Sequence, residues 1–370
     1  MAGFASMKAF YQSTSTIVSF DISGVKIRDD TGDDSAEVKE LIRKHVEPRV
    51  KAIIDDLKAS SKKFEDPDFG PTEKDGLGAI SLYGSAMPAP AGSKYPKPED
   101  LRWDRPHYEN KDMFEASGET KKKEDGEDGE EEEEEEDDDD EGGVWCKHGA
   151  LFQGGSGAND VIQGQLGDCW FLGALAVMGT KEQLLRRCFW QEEKFREFGM
   201  FVCRFYKDTS MMYVIIDDRI PVKQKDGKPI FACCKDPNEL WVPLIEKAYS
   251  KLHGCYKAII GGYSHNALAD MTGYSPRLVV MKKGFPGFSD ALGKEDVWSM
   301  LQRYTRWESL MGTSIQSDPK ANHKVEAEAG MGLHMGHAYS FLGLGTIQVD
   351  GKPTRLVRLR NPWGLSLIHI

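Results

Sequence analysis

The run from Phe171 to Met178 is apolar or small at every position, and it follows directly on Gly167-Asp168-Cys169-Trp170. A segment of that length without a polar face reads as a helix buried on all sides, so the remainder of the chain has to fold around it. The turn-forming Gly-Asp pair sets Cys169 at the start of that helix. There, exposed N–H groups and the positive end of the macrodipole favour the thiolate, the nucleophilic form. A lone cysteine is more often a small buried hydrophobe. What the thiol means therefore depends on its partners.

Two partners stand far downstream. His337 lies in Gly336-His337-Ala338-Tyr339-Ser340 and Asn361 in Arg358-Leu359-Arg360-Asn361-Pro362-Trp363-Gly364. Residues 338–349 and 354–360 read as strands joined by Asp350-Gly351, a hairpin signal. A hairpin sets its outer ends side by side, so His337 and Asn361 become neighbours at one end of a sheet. The Asn oxygen is then expected to accept from the imidazole Nδ1–H, fixing the tautomer and turning Nε2 outward. Gln163, six residues before the thiol, offers a side-chain N–H to an oxyanion, with the backbone N–H of Cys169 as second donor. Taken singly, each has a plainer meaning: a satisfied histidine, a turn Asn before Pro, a surface Gln. Together, in this order, they make up a nucleophile, a base, an orienter and an oxyanion site.

The chain has 370 residues and a formal charge of −12, but sixteen carboxylates fall between Glu124 and Glu141. The rest is nearly balanced and shows no basic stripe of the kind nucleic acid requires. Residues 117–141 are low in complexity and expected to stay disordered. They do not spell an EF-hand. No apolar stretch is long enough to span a membrane. Seven cysteines without framework spacing suit a reducing compartment, and the chain reads as cytoplasmic.

Residues 1–33 show no sustained period and are expected to be loose. Residues 34–59 read as an amphipathic helix, with Asp34 and Glu37 at capping-box spacing and Pro48 kinking or splitting it. Residues 200–206 and 211–216 read as strands, and 239–252 as a helix. The thiol half is expected to be mainly helical. No Cys-x-x-Cys, His-Glu-x-x-His or Gly-x-Gly-x-x-Gly occurs, which removes the usual zinc, redox and dinucleotide signatures.

Residues 163–172, 336–340 and 361–364 resemble the nucleophile, histidine and asparagine motifs of the calpain family, the calcium-dependent papain-like cysteine proteases. Further similarity lies in Glu239-Leu240-Trp241, in Leu244-Ile245-Glu246-Lys247-Ala248-Tyr249, and in Gly261-Gly262 with Met271-Thr272-Gly273. Phe64-Glu65-Asp66-Pro67 and Trp103-Asp104-Arg105-Pro106 resemble the opening of that core. The resemblance implies an α+β, two-lobed core over residues 64–364, with a helical lobe carrying Cys169 and an antiparallel β lobe carrying His337 and Asn361. Residues 1–63 become an N-terminal extension with the amphipathic helix, and 117–141 an acidic insertion.

It also implies cleavage of intracellular proteins or peptides through a Cys-His-Asn thioester mechanism, aided by Ca²⁺. Carried over by position, Asp160 and Glu239 supply carboxylate ligands and Gln153 and Gly155 backbone oxygens. Gly262 and Gly336 line the substrate cleft, and Trp363 shields the Asn–His hydrogen bond. The chain departs from the family after Gly364: residues 365–370 read as an aberrant or truncated tail, with Leu367 near the place of an acidic ligand for a second calcium site. That departure leaves an alternative, a non-catalytic, calcium-responsive interaction protein built on a truncated core. Nothing in the sequence specifies an oligomeric state.

Overall fold

The computed structural model describes residues 15–71, 101–108, 146–281, 296–315, 328–330 and 332–369; the expected acidic insertion lies outside them. In chain order the first elements are β1 (Ile17–Asp21), α1 (Ala36–His45), α2 (Glu47–Ser60), β2 (Leu101–Asp104) and β3 (Val161–Ile162). There follow α3 (Cys169–Gly179), α4 (Glu182–Arg186), β4 (Met200–Lys207), β5 (Ser210–Asp217), β6 (Ile220–Lys223) and β7 (Cys233–Cys234). Then come α5 (Trp241–Leu252), α6 (Ser264–Thr272), α7 (Val297–Arg306) and β8 (Gly312–Ile315). The last are β9 (Glu328–Gly330), β10 (Leu333–His334), β11 (His337–Val349), β12 (Lys352–Asn361) and β13 (Leu365–His369).

The whole of α3 is buried, as its apolar sequence requires. It packs against α6, α4 and β11. Helix α5 is also buried throughout, with Pro243 in its first turn, where the missing N–H costs no helical bond. Its lysines are satisfied internally. Lys247 Nζ donates to Asp217 Oδ1 at 2.5 Å and to the Asp217 and Arg219 carbonyls. Lys251 Nζ reaches Asp66 Oδ2 at 2.5 Å, the Ile215 carbonyl and the Thr16 hydroxyl.

The thiol half is less helical than expected. It contains an antiparallel sheet in the order β1-β5-β4, whose strands β4 and β5 turn through Asp208 and Thr209, both at positive φ. Residues 17–21 are not loose: they form the edge strand of this sheet, Ile17 opposite Val214 and Phe20 opposite Met211. The signal is missed because an isolated edge strand has no local partner to announce it.

The amphipathic stretch forms two helices. Ser35, not Asp34, is the N-cap, its hydroxyl accepting from Val38 N–H at 3.2 Å. Asp34 instead pairs with Arg28 and Arg204. The break falls at Val46, which leaves Pro48 in the first turn of α2, the position where proline is tolerated. Val38, Ile42, Val46, Val50 and Leu57 pack with Met200, Val202, Tyr213 and Ile215 in a second apolar cluster. Helices α1 and α2 therefore cover one face of the β4–β5 sheet.

The other half is a four-stranded antiparallel sheet in the order β13-β12-β11-β8. Its central hairpin turns at Asp350 and Gly351, with φ of 51° and 73°, the geometry that a two-residue hairpin loop demands. The stretch beginning at Leu365 is the edge strand of this sheet, with Leu359 opposite Leu367 and Asn361 opposite Leu365. Among the described residues no helix is long and apolar enough to cross a membrane.

Candidate active site

Cys169 is the first residue of α3 and is buried. One turn further along, Gly173 meets the β sheet: a Cβ added there would lie 3.8 Å from the Tyr339 carbonyl carbon. Ser340 Oγ donates to the Gly173 carbonyl at 2.7 Å and pins helix to strand. Cys169 thus stands one helical turn before this contact, and His337 a few residues before it on β11. Both sequence-predicted groups are carried to the seam between the halves.

His337 and Asn361, first residue of β11 and last of β12, are joined across the sheet end at 2.8 Å, from imidazole Nε2 to Asn Oδ1. The expected neighbours meet, but through the other ring nitrogen. The Trp363 backbone N–H also donates to Asn361 Oδ1, at 3.0 Å. A backbone N–H can only donate, so the atom between the two must be the oxygen. Nε2 therefore bears the hydrogen, and Nδ1 carries the lone pair. The sequence pattern gives adjacency but not ring orientation, which is set by the backbone path through Asn361-Pro362-Trp363.

Trp363 covers the imidazole, with ring centroids 4.5 Å apart, and Tyr339 meets it edge-on at 5.0 Å. His337 and Asn361 are each 1% exposed, so their hydrogen bond is shielded from water. Gly336 has φ 69° and donates to the Ile315 carbonyl at 2.7 Å, which fixes the turn that launches His337.

Gln163 is docked against the same strand end, its backbone N–H donating to the Pro362 carbonyl at 2.8 Å. Its side-chain Nε2 donates to the Leu166 carbonyl at 2.7 Å, which orients the amide within the thiol loop and leaves one N–H uncommitted. Gly262 also sits beside the thiol turn, since Gly261 N–H donates to the Gly167 carbonyl at 2.9 Å. Its missing side chain also has a packing role. A Cβ there would lie 2.4 Å from the Trp170 indole, so the glycine is needed for packing against the residue after Cys169.

The four positions carried over as calcium ligands fall in one neighbourhood. Gln153 N–H donates to Glu239 Oε1 at 3.1 Å, and Gly157 N–H to Asp160 Oδ2 at 2.6 Å. Gly155 has φ 110° and turns the loop between them. Burial, with Asp160 nearby, pushes the Glu239 carboxyl up to about 7. Burial likewise raises Asp160, against Gly157 and Arg360. Two carboxyls that each suffer from burial and like charge form a donor set of hard oxygens suited to a cation such as Ca²⁺. Among the described residues no group of three acidic, His or Cys side chains converges. The carboxylate pair therefore depends on backbone oxygens to complete any such site.

Five further cysteines are held in the thiol form by their surroundings. Burial pushes the Cys146 and Cys188 thiols up to about 12 and that of Cys233 up to about 11, and it also raises Cys203 and Cys234 well above the usual thiol value. Such thiols are poor nucleophiles.

A model of the calpain family cysteine proteases matches residues 141–367. Calpain-8 of Rattus norvegicus is 36% identical over 221 residues, 59% of this chain and 30% of that protein. The calpain-type cysteine protease DEK1 of Arabidopsis thaliana is 38% identical over 213 residues, 58% of this chain and 9% of its own length. The Calpain-2 catalytic subunit of Bos taurus is 34% identical over 221 residues, 59% of this chain and 30% of that protein. The chain thus spans under a third of the curated relatives named. With a papain-like α+β core, a thiol at a helix start and a shielded His–Asn pair at a sheet end, this chain belongs to the calpain family of cysteine proteases.

Proposed function

We propose that the protein is a calcium-dependent cysteine endopeptidase acting on proteins or peptides in a reducing, cytoplasmic setting. The single observation that carries the reading is the Nε2–Oδ1 bond of His337 and Asn361, with Trp363 N–H on the same oxygen. An imidazole so fixed presents Nδ1 as the base, and the nearby nucleophile at a helix start is Cys169.

The Cys169 proton passes to Nδ1, and the thiolate attacks the scissile carbonyl carbon. The resulting oxyanion is held by the Cys169 backbone N–H and the Gln163 side-chain N–H. Collapse breaks the C–N bond while Nδ1–H protonates the leaving amine. Nδ1 then takes a proton from water as its oxygen attacks the thioester carbon. The acid departs, and the thiolate–imidazolium pair is restored. Asn361 holds Nε2–H throughout, and Trp363 keeps water from competing for that bond.

Calcium bound by Asp160, Glu239 and the carbonyls of Gln153 and Gly155 would relieve their mutual repulsion. Support for coupling lies in Arg360, whose guanidinium donates to the Asn159 and Val161 carbonyls at 2.9 Å, tying the residues around Asp160 to the neighbour of Asn361.

Cys169→Ala should abolish cleavage of a fluorogenic peptide in calcium while the circular dichroism spectrum stays that of the parent. Cleavage at the parent's rate would refute the assignment. Labelling by a thiol-reactive peptide analogue, with and without calcium, addresses the scaffold alternative, which requires no labelling under either condition.

A further inference from the structure

The row of the β lobe that sets Ser340 opposite Arg360 sends two side chains across the seam. Residues directly opposite in a sheet present their side chains on one face. Ser340 Oγ takes the Gly173 carbonyl of α3, and Arg360 takes the segment that leads to Gln163. Arg360 Nη2 donates to the carbonyls of Asn159 and Val161, each at 2.9 Å, and Nη1 reaches Asn159 Oδ1 at 3.3 Å. The two carbonyls stand on either side of Asp160, and the second lies two residues before Gln163.

Beyond that contact, residues 159–163 and 360–364 run together. Gln163 N–H donates to the Pro362 carbonyl at 2.8 Å, and a Cβ added at Gly364 would lie 3.0 Å from Ile162 Cδ1. On its other side the same strap is tied to the thiol half. Val161 and Ile162 pair with Cys234 and Cys233 of β7, and the Asp160 carbonyl accepts Lys235 N–H at 2.8 Å. Ser156 Oγ donates at 3.0 Å to the carbonyl of Gly179, the last residue of the helix that Cys169 begins. The oxyanion donor is thus suspended between the nucleophile's helix and the strand end that carries Asn361, and Arg360 is a side-chain link to the latter.

Arg360 is 3% exposed, its Nε has no partner among the described residues, and burial opposes its charge. A carbon side chain of similar volume would fill the same space without that desolvation cost. What the guanidinium adds is a rigid, planar donor set that fixes two carbonyls at defined positions, which neither an apolar chain nor the flexible point charge of lysine reproduces.

We propose that Arg360 is a positioning residue for the oxyanion site: its guanidinium holds Asn159 and Val161 so that the Gln163 amide faces the carbon under attack, and it acts on turnover through Gln163. The assignment rests on Cys169 as nucleophile and Gln163 as oxyanion donor. The full chain in saturating calcium is compared with Arg360→Lys, Gln163→Ala and the double variant by two readouts. Cleavage of a fluorogenic peptide amide passes through an oxyanion. Alkylation of Cys169 by iodoacetamide, a displacement at saturated carbon, does not. Q163A should lower kcat by about 100- to 1000-fold, the usual effect of removing one oxyanion donor. R360K should lower kcat by about tenfold or more and leave KM within about twofold, because the donor is displaced rather than removed. Both variants should be alkylated at the parent's rate. In the double variant kcat should equal that of Q163A, since a residue that acts through the amide has nothing left to position.

Losses that multiply in the double variant overturn the proposal. Alkylation lost in step with cleavage also overturns it, and would set Arg360 behind the Cys169–His337 pair instead. Should R360K fail to fold by circular dichroism, Arg360→Gln takes its place in the same cycle. Failure of both refutes the proposal, since Arg360 then supports the fold as a whole. A parent that does not cleave refutes the protease reading and this proposal with it, whereas a cleaving parent whose R360K variant keeps its kcat refutes the proposal alone.

Discussion

At Asn361 the two donors on Oδ1 are unequal in what they fix. Trp363 N–H sets which way the amide faces, and His337 Nε2–H donates to the oxygen so placed. Asn361→Ala should leave the hairpin folded, because β12 is held by backbone pairing with β11 and β13. It should lower kcat/KM by about 10- to 100-fold, the worth of about 1.4–3 kcal/mol for one buried hydrogen bond to a group that becomes charged. A steady-state assay in saturating calcium reads this directly, and an unaltered kcat/KM would show that the ring is oriented by Trp363 stacking alone. The sequence shows which residues meet here, since a hairpin turn and two short motifs are local signals. It does not show which nitrogen faces Asn361, because that depends on backbone direction over Asn361-Pro362-Trp363 and on tertiary packing of the indole.

At the level of elements, glycines near the thiol serve unlike ends. Gly164 and Gly167 lie in one loop, yet a Cβ at Gly164 would strike the Phe231 carbonyl oxygen at 2.3 Å, whereas one at Gly167 would meet only the Ile260 side chain at 3.4 Å. Backbone cannot yield as a side chain can. Gly164→Ala should therefore destabilise by about 1–3 kcal/mol or more, and Gly167→Ala should change stability by less than about 1 kcal/mol. Urea unfolding of the pair checks the contrast, and equal effects would contradict the close approach. Such contacts explain why some elements are legible and others hidden. The β4–β5 and β11–β12 hairpins and the buried helix α3 carry their signals within a dozen residues. The edge strand β1 pairs with a segment far along the chain, and the Lys251–Asp66 ion pair joins a helix face to a loop. No local period marks either.

Across the whole molecule, buried charge makes stability depend on pH in two opposite ways. Burial opposes ionisation of Asp217, but Lys247 and Arg219 hold its carboxyl well below the usual carboxylate range. Its folded value lies below its unfolded value, so its contribution is present at neutral pH and is lost in acid. Glu239 has the opposite sign. Its carboxyl is pushed up to about 7 from 4.5, chiefly by burial and then by Asp160, so the folded state holds a proton that the unfolded state releases. Stability contributed by that proton is complete below the unfolded value and falls as pH rises through about 7, by about 3 kcal/mol in all. A cation bound between Glu239 and Asp160 would displace the proton and cancel the loss. Without calcium, the thermal midpoint should therefore fall between pH 5 and about pH 8, and millimolar calcium should restore it most at the upper end. Glu239→Gln should flatten the calcium-free profile and remove most of the calcium-induced rise. Differential scanning calorimetry at several pH values, each with calcium or chelator, distinguishes this from nonspecific stabilisation. A calcium effect of equal size at every pH, or one undiminished in Glu239→Gln, would place the ion elsewhere and separate the Asp160–Glu239 pair from any control over the seam that carries Cys169 and His337.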